Sequence, residues 1–101
     1  MRRVIVRYRV RSAAAAAENE RLVRDVYAEL ERLAPDGFRY VTLVGDDGLS
    51  FTHVAFEAGE ASPLPGLAAF ARFRAGLGER CAEPPVATEQ RVVGSYGIGA
   101  G

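Results

Sequence analysis

Four strand-like segments and two helical segments follow one another in the order strand–helix–strand–strand–helix–strand, and this order constrains the fold more than any other feature of the chain. The first strand is predicted over Arg3–Val10, where β-branched residues alternate with arginines, a period of two that is typical of a strand. A helix is predicted over Ala13–Leu33, because apolar residues such as Leu22 and Val26 recur there at helical spacing.

The middle of the chain predicts a hairpin. Its strands are Phe38–Val44 and Leu49–Glu57, and Gly45–Gly48 between them contains the glycine and aspartate residues that favour a turn. A loop rich in proline and glycine follows. The second helix is predicted over Leu67–Arg80 and the fourth strand over Val86–Val93, before a glycine-rich tail at 94–101.

Two βαβ-like halves joined through a hairpin predict one domain over 1–101, an α+β ferredoxin-like βαββαβ sandwich. In this fold a four-stranded antiparallel sheet has both helices on one face. From the alternation of side chains we expect the residues under the helices to be Val4, Val6, Val41, Leu43, Val54, Phe56 and Val92. The opposite face is then expected to carry Ile5, Arg7, Tyr40, Thr42, Phe51, His53, Ala55, Glu89, Arg91 and Val93.

That opposite face contains too many apolar residues to stay wholly in water. We therefore expect a homodimer, in which a second copy of the chain covers the open sheet face and leaves a polar-lined cavity between the two sheets.

Composition excludes several classes of partner. Thirteen basic residues, all arginine, balance thirteen acidic ones, and zero net charge argues against nucleic acid as a partner. No apolar run approaches the ~20 residues of a membrane helix, so no membrane partner is expected and a cytoplasmic location is predicted. Cys81 is the only cysteine, and neither it nor the turn residues Asp46 and Asp47 form a ligand set, so no metal or cofactor is predicted.

The first strand, Arg3–Val10, and the third, Phe51–Glu57, followed by a loop and a helix of leucine and phenylalanine, resemble the dimeric α+β barrel superfamily. Within it they resemble the antibiotic-biosynthesis-monooxygenase-like domains, whose third strand often ends in Glu. The resemblance implies a dimeric barrel; such domains include cofactor-independent monooxygenases, haem-degrading enzymes and many proteins of no known activity. Catalytic members typically add a His, Asn or Trp around the second helix, whereas Leu67–Phe73 has no His and the chain has no Trp.

His53, the only histidine, is the candidate catalytic base, since an ordinary pKa near 6.5 suits proton transfer at neutral pH. Its expected neighbours Arg7 and Tyr40 would hold and orient the anion of an acidic phenol. The alternative is a partly buried histidine with a structural hydrogen bond at the dimer interface. Further ligand-binding residues are predicted on the same face, namely Thr42, Phe51, Glu89 and Arg91.

Three functions remain open at this point. The chain is a small-molecule-binding barrel dimer, or a cofactor-independent monooxygenase or isomerase acting on an aromatic, polyketide-like substrate, or a purely structural interaction module. A cavity of about 300 Å³ or more lined by His53 would support the first two, and a filled, dry contact between the two sheets would support the third.

Overall fold

The four strands form one antiparallel sheet in the order β2-β3-β1-β4, which confirms the ferredoxin-like α+β fold. The computed structural model describes residues 2–59 and 61–97. Its elements are β1 (Arg2–Val10), α1 (Ala13–Leu33), β2 (Phe38–Val44), β3 (Ser50–Glu57), α2 (Ala68–Ala75), α3 (Leu77–Arg80) and β4 (Cys81–Glu89). None of the described helices is both long enough and apolar enough to span a membrane.

Helix α1 has the predicted bounds. The Oγ of Ser12 accepts a hydrogen bond from the backbone N–H of Ala15 at 3.1 Å, which satisfies one of the free amides of the first turn. At the other end Ala34 adopts a left-handed conformation with φ 43°, and its N–H bonds to the carbonyl of Leu30. Leu22 and Val26 are buried, so the predicted apolar stripe is the one that packs on the sheet.

The second helical segment is divided, whereas one continuous helix was predicted. It breaks at Gly76 into α2 and the single turn α3. A Cβ atom at Gly76 would lie 2.9 Å from Nη1 of Arg80, so the absence of a side chain makes room for the Arg80 guanidinium to fold back into the protein.

The fourth strand begins five residues earlier than predicted, at Cys81, and ends at Glu89. Pro84 and Pro85 lie within it, because β4 is an edge strand, where proline is tolerated since one side of the strand needs no ladder hydrogen bonds. The pairing of β1 with β4 shifts register between Arg7 and Arg9, opposite these prolines. The predicted strand residues Arg91, Val92 and Val93 therefore lie beyond the strand and are exposed.

The two faces of the hairpin strands are the reverse of the prediction. We call the face under the helices the covered face and the other the open face. His53 pairs with Val6 and with Thr42, and directly paired residues share a face. The expectation for β1 is correct, with Val4 and Val6 on the covered face and Ile5 and Arg7 on the open face. The expectation for the hairpin is wrong: Tyr40, Thr42, Phe51, His53 and Ala55 lie on the covered face, and Val41, Leu43, Val54 and Phe56 lie on the open face.

Candidate functional site

A partly open cavity of about 260 Å³ lies between the covered face and the second helical segment. Aromatic rings from both layers form much of its wall, including Tyr8 and Tyr40 from the sheet and Phe70 and Phe73 from α2. Its full lining is Arg2, Val4, Val6, Tyr8, Tyr40, His53, Ala55, Glu57, Ser62, Leu64, Pro65, Phe70, Phe73, Arg74, Leu77 and Pro85. This cavity therefore lies within a single chain and is distinct from the predicted cavity between the sheets of two copies, which stays a prediction.

His53, in the wall of this cavity, lies at the centre of three hydroxyl groups, of which those of Tyr8 and Tyr40 belong to cavity-lining residues and that of Thr42 does not. Its Nε2 is 2.7 Å from the hydroxyl of Tyr8, and its Nδ1 is 2.7 Å from the hydroxyl of Tyr40 and 3.1 Å from Oγ1 of Thr42. The imidazole is only 5% exposed and lies 5.5 Å from the ring of Phe73. Both ring nitrogens therefore have hydrogen-bond partners from the protein.

Burial sets the charge state of this set. Desolvation lowers the pKa of His53 from 6.5 to about 4, so the imidazole is neutral at pH 7. Desolvation also raises the pKa of Tyr8 and of Tyr40 well above the ordinary value, so both phenols stay protonated. Tyr8, His53 and Tyr40 consequently offer neutral hydrogen-bond donors and acceptors to the cavity.

The hydrogen bonds continue from Tyr8 through the core to Arg80. Nδ2 of Asn19, on α1, donates to the hydroxyl of Tyr8 at 2.7 Å, and Oδ1 of Asn19 accepts from Nε of Arg80 at 3.1 Å. Arg80 also donates to the carbonyl of Phe73 at 2.8 Å and lies over the Phe73 ring. We call the sequence Arg80–Asn19–Tyr8–His53–Tyr40 the buried polar chain; its first four members are at most 6% exposed.

A second polar group lines the other end of the cavity. Glu57 is 4% exposed, and its Oε1 has no hydrogen-bond partner among the described residues, although Nη1 of Arg2 lies 3.6 Å away. Glu57 is four residues from His53 on the same side of β3, which separates their backbones by about 13 Å. Ala55 lies between them, and its small side chain leaves space at the middle of the cavity.

The structure brings together some of the predicted site residues and separates others. His53, Tyr40 and Thr42 are within hydrogen-bonding distance of one another's polar groups, as given above. Phe51 is buried and stacks on Tyr8 at a centroid distance of 5.5 Å, but it is not part of the cavity wall.

The prediction that Arg7 lies beside His53 is wrong, because alternate residues of β1 face opposite sides of the sheet and Arg7 is exposed on the open face. Glu89 is exposed at the end of β4, where its Oε1 binds Nε of Arg2 at 2.9 Å. Arg91 lies beyond that strand. Neither residue lines the cavity.

Tyr8, Asn19 and Arg80 were not predicted as site residues. For Asn19 the sequence contained a usable signal: it precedes Leu22 by three residues and Val26 by seven, so it is a polar residue within the apolar stripe of α1. Arg80 had no comparable signal, because its burial depends on the break at Gly76.

The described residues include no group of three or more His, Cys, Asp or Glu side chains placed to hold a metal ion. Cys81 is a free thiol whose pKa is raised by burial, which disfavours the reactive thiolate.

Solved structures with the same fold are known. A protein from Mycobacterium tuberculosis, Rv0793, is 20% identical with a TM-score of 0.72, over 93% of this chain and 96% of its own. A protein from Nitrosomonas europaea that is named as an antibiotic biosynthesis monooxygenase is 18% identical with a TM-score of 0.76, over 92% of this chain and 99% of its own. A variant of SnoaB from Streptomyces nogalater, described as a cofactor-independent oxygenase, is 17% identical with a TM-score of 0.68, over 96% and 97%.

No protein-family model matches the chain, and no curated protein matches it as a relative. At this level of identity the solved structures establish the fold and not the activity. The chain has the ferredoxin-like fold of the antibiotic-biosynthesis-monooxygenase-like proteins, over nearly the whole length of both partners in each comparison.

Proposed function

We propose that this protein binds a small aromatic molecule in the cavity under the helices. The observation that carries the proposal is the His53 cluster: a neutral imidazole hydrogen-bonded to Tyr8 and Tyr40, in the wall of a cavity whose other walls are mostly apolar. Binding pockets typically combine apolar walls with a few fixed polar groups that orient the ligand.

The two ends of the cavity define the ligand more closely. Near His53 the hydrogen-bonding groups of Tyr8, His53 and Tyr40 are neutral, which favours a neutral oxygen function of the ligand. At the other end Oε1 of Glu57, which has an ion pair with Arg2 at 3.6 Å but no hydrogen bond among the described residues, is an acceptor for a ligand hydroxyl or N–H group. A flat ring system can lie over Ala55 between these ends. A planar hydroxylated aromatic of two or three rings satisfies all three features.

Binding is tested by calorimetry with 1-naphthol and with decalin, which is of similar size but has no hydroxyl group and no π-system. We expect 1-naphthol to bind the wild type and decalin to bind at least tenfold more weakly. Ala55→Phe fills the floor of the cavity and should abolish 1-naphthol binding, whereas Ala17→Phe, on the exposed side of α1, should not. Equal 1-naphthol affinity for both variants would contradict the proposed site.

A cofactor-independent oxygenase or isomerase is the second candidate, because His53 and Tyr40 face a cavity in a fold shared with SnoaB, a protein described as such an oxygenase. His53 is a weak base at neutral pH, since its pKa is about 4. Both its nitrogens are bonded to hydroxyl groups, so a substrate proton would reach it through Tyr40.

The oxygenase reading is tested with an anthrone, which O₂ converts to an anthraquinone and water. If His53 is the base, His53→Ala should abolish O₂ uptake above the uncatalysed rate while anthrone binding persists. Unchanged turnover in His53→Ala would remove His53 as the base, and no turnover by the wild type would favour a binding protein.

We also propose a homodimer formed through the open face. Aliphatic side chains on that face are strongly exposed in the single chain: Val41 is 45% exposed, Leu43 54% and Val86 61%. Exposed aliphatic side chains of this kind favour association with a second copy. A dimer that binds none of the aromatic probes would instead favour the structural interaction module.

A further inference from the structure

We infer that Arg80 and Asn19, which are not part of the cavity wall, are positioning residues that place the single imidazole hydrogen of His53 on Nδ1. Tyr40 then accepts that hydrogen and keeps its own to donate to a carbonyl oxygen of the ligand. The ligand class rests on the proposed function, but the position of the hydrogen on His53 does not.

Arg80 fixes the orientation of the Asn19 amide. Arginine can only donate hydrogen bonds, so the atom of Asn19 that faces Nε of Arg80 at 3.1 Å must be the carbonyl oxygen. The amide nitrogen consequently faces Tyr8. Arg80 is itself fixed, because it donates to the carbonyl of Phe73 and lies over the Phe73 ring.

The oriented Asn19 amide in turn decides which partner the Tyr8 hydroxyl donates to. Its oxygen accepts a hydrogen bond from Asn19 at 2.7 Å, and its other described partner is Nε2 of His53, also at 2.7 Å. Tyr8 is 4% exposed, and a buried hydroxyl hydrogen that pointed elsewhere would lose its acceptor. Tyr8 therefore donates to Nε2, which must be unprotonated.

Because the imidazole is neutral, the position of its single hydrogen is then fixed. A neutral histidine carries one N–H, so when Nε2 accepts, the hydrogen is on Nδ1. Nδ1–H then donates to Tyr40 at 2.7 Å, with Thr42 as the more distant acceptor at 3.1 Å. The Tyr40 hydrogen remains available, either to Thr42 or to a ligand oxygen in the cavity whose wall it forms. A carbonyl group on an aromatic ring is the matching acceptor.

The hydrogen position is measured by long-range ¹H–¹⁵N NMR of the uniformly labelled protein at pH 7. The chain has one histidine, so the spectrum contains a single imidazole. We expect Nδ1 to be the protonated nitrogen, which is the opposite of the tautomer that predominates for histidine in water. A protonated Nε2 in the wild type would overturn the inference without any variant.

Asn19→Asp tests whether Arg80, acting through Asn19, sets the direction of the hydrogen bond between Tyr8 and His53. The introduced carboxylate can accept from Arg80 and from the Tyr8 hydroxyl, but it cannot donate to Tyr8. Tyr8 should then accept from His53, and the imidazole hydrogen should move to Nε2. Gln90→Glu makes the same amide-to-carboxylate change at an exposed position and should leave the hydrogen on Nδ1. An unmoved hydrogen in folded Asn19→Asp would overturn the role of Asn19.

The ligand class is tested with 1-tetralone and with tetralin, its analogue without the carbonyl group. The wild type should prefer 1-tetralone by roughly two- to tenfold, the value of one neutral hydrogen bond. Asn19→Asp should reduce this preference, because Nδ1 then needs a donor and Tyr40, at 2.7 Å, is nearer than Thr42, at 3.1 Å, while Gln90→Glu should keep it. An unchanged preference in Asn19→Asp would contradict donation by Tyr40. If neither probe binds the wild type, the proposed function fails while the tautomer result stands.

Discussion

The covered and open faces of the sheet are built from alternate residues of the same strands, yet they differ in which kinds of side chain they shield from water. The covered face buries His53 and partly buries Tyr40 and Thr42, whereas the open face carries aliphatic residues such as Val41 and Leu43 and exposes them. On the hairpin strands, the hydrophobicity of these five residues alone would assign the faces the other way round.

The difference shows that mutual hydrogen bonding can decide which side of a strand is buried. The polar groups of Tyr8, His53, Tyr40 and Thr42 on the covered face each have a partner within 3.1 Å, and a satisfied polar group loses little on leaving water. The aromatic rings that carry these groups add apolar area, and Tyr8 stacks on Phe51. Among residues 2–59 and 61–97 the aliphatic open face has no comparable cover, which is why it is the candidate interface.

The largest expected effect contrasts the two faces directly. Phe51→Ala removes a ring that is 2% exposed and should lower the free energy of unfolding by about 3–5 kcal/mol, through lost burial and the cavity that remains. Phe56→Ala, on the open face, should cost clearly less in dilute solution. Urea unfolding of both variants measures the difference, and equal losses would mean that the two faces are not distinct in packing.

The pH dependence of stability tests the burial of His53. Its pKa in the folded chain, about 4, is below the ordinary 6.5, so between these values the unfolded chain binds more protons. The contribution of His53 to the free energy of unfolding should therefore be fully present above about pH 6.5. It should fall by up to about 3 kcal/mol as the pH drops to 4.

The control is His53→Gln, which removes the only histidine while the carboxylates remain. The difference in unfolding free energy between wild type and variant should shrink as the pH falls from 6.5 to 4. A difference that is the same at every pH would show that the imidazole titrates normally and is accessible to water.

On the open face, Leu43→Arg should raise the dissociation constant of the homodimer at least tenfold, since each 1.4 kcal/mol of lost association energy is a factor of ten. Leu33→Arg is the matched control, because Leu33 is 53% exposed against 54% for Leu43 but lies at the end of α1. Light scattering across a concentration series reports the mass. A monomeric wild type, or a mass unchanged by Leu43→Arg, would contradict the proposed interface.

The smallest effect concerns the helix that lies over the covered face. Ser12→Ala removes the N-cap of α1 and should cost about 1 kcal/mol of stability, while Ser12→Asp should retain most of it. Neither variant should change the dimer dissociation constant. A changed constant would show that the two faces are coupled through α1, contrary to their separation in the fold.

Element order and most element bounds were predictable because they depend on local signals. The alternation in β1, the stripe and cap of α1 and the turn between β2 and β3 are each contained within a few residues. The start of β4 was not predictable in this way, because Pro84 and Pro85 are acceptable only on an edge strand. The position of a strand within its sheet is a property of the whole fold.

The candidate site was predicted only in part. His53, Tyr40 and Thr42 were chosen for their chemistry and do lie together, but Arg7 was placed beside them through an error in the facing of the hairpin strands. A shift of one residue in pairing moves every side chain of a strand to the other face, and local pattern does not fix that pairing when both faces are partly apolar.

By itself the sequence determined the order of the elements and the presence of one histidine on the second strand of the hairpin. Only the tertiary structure decided which face of that strand is buried, and it joined the buried polar chain from five elements, with Arg80 on α3, Asn19 on α1, Tyr8 on β1, His53 on β3 and Tyr40 on β2. Local pattern specifies which residues can share a face; the partners that make burial of a polar group favourable are known only once the segments are packed together.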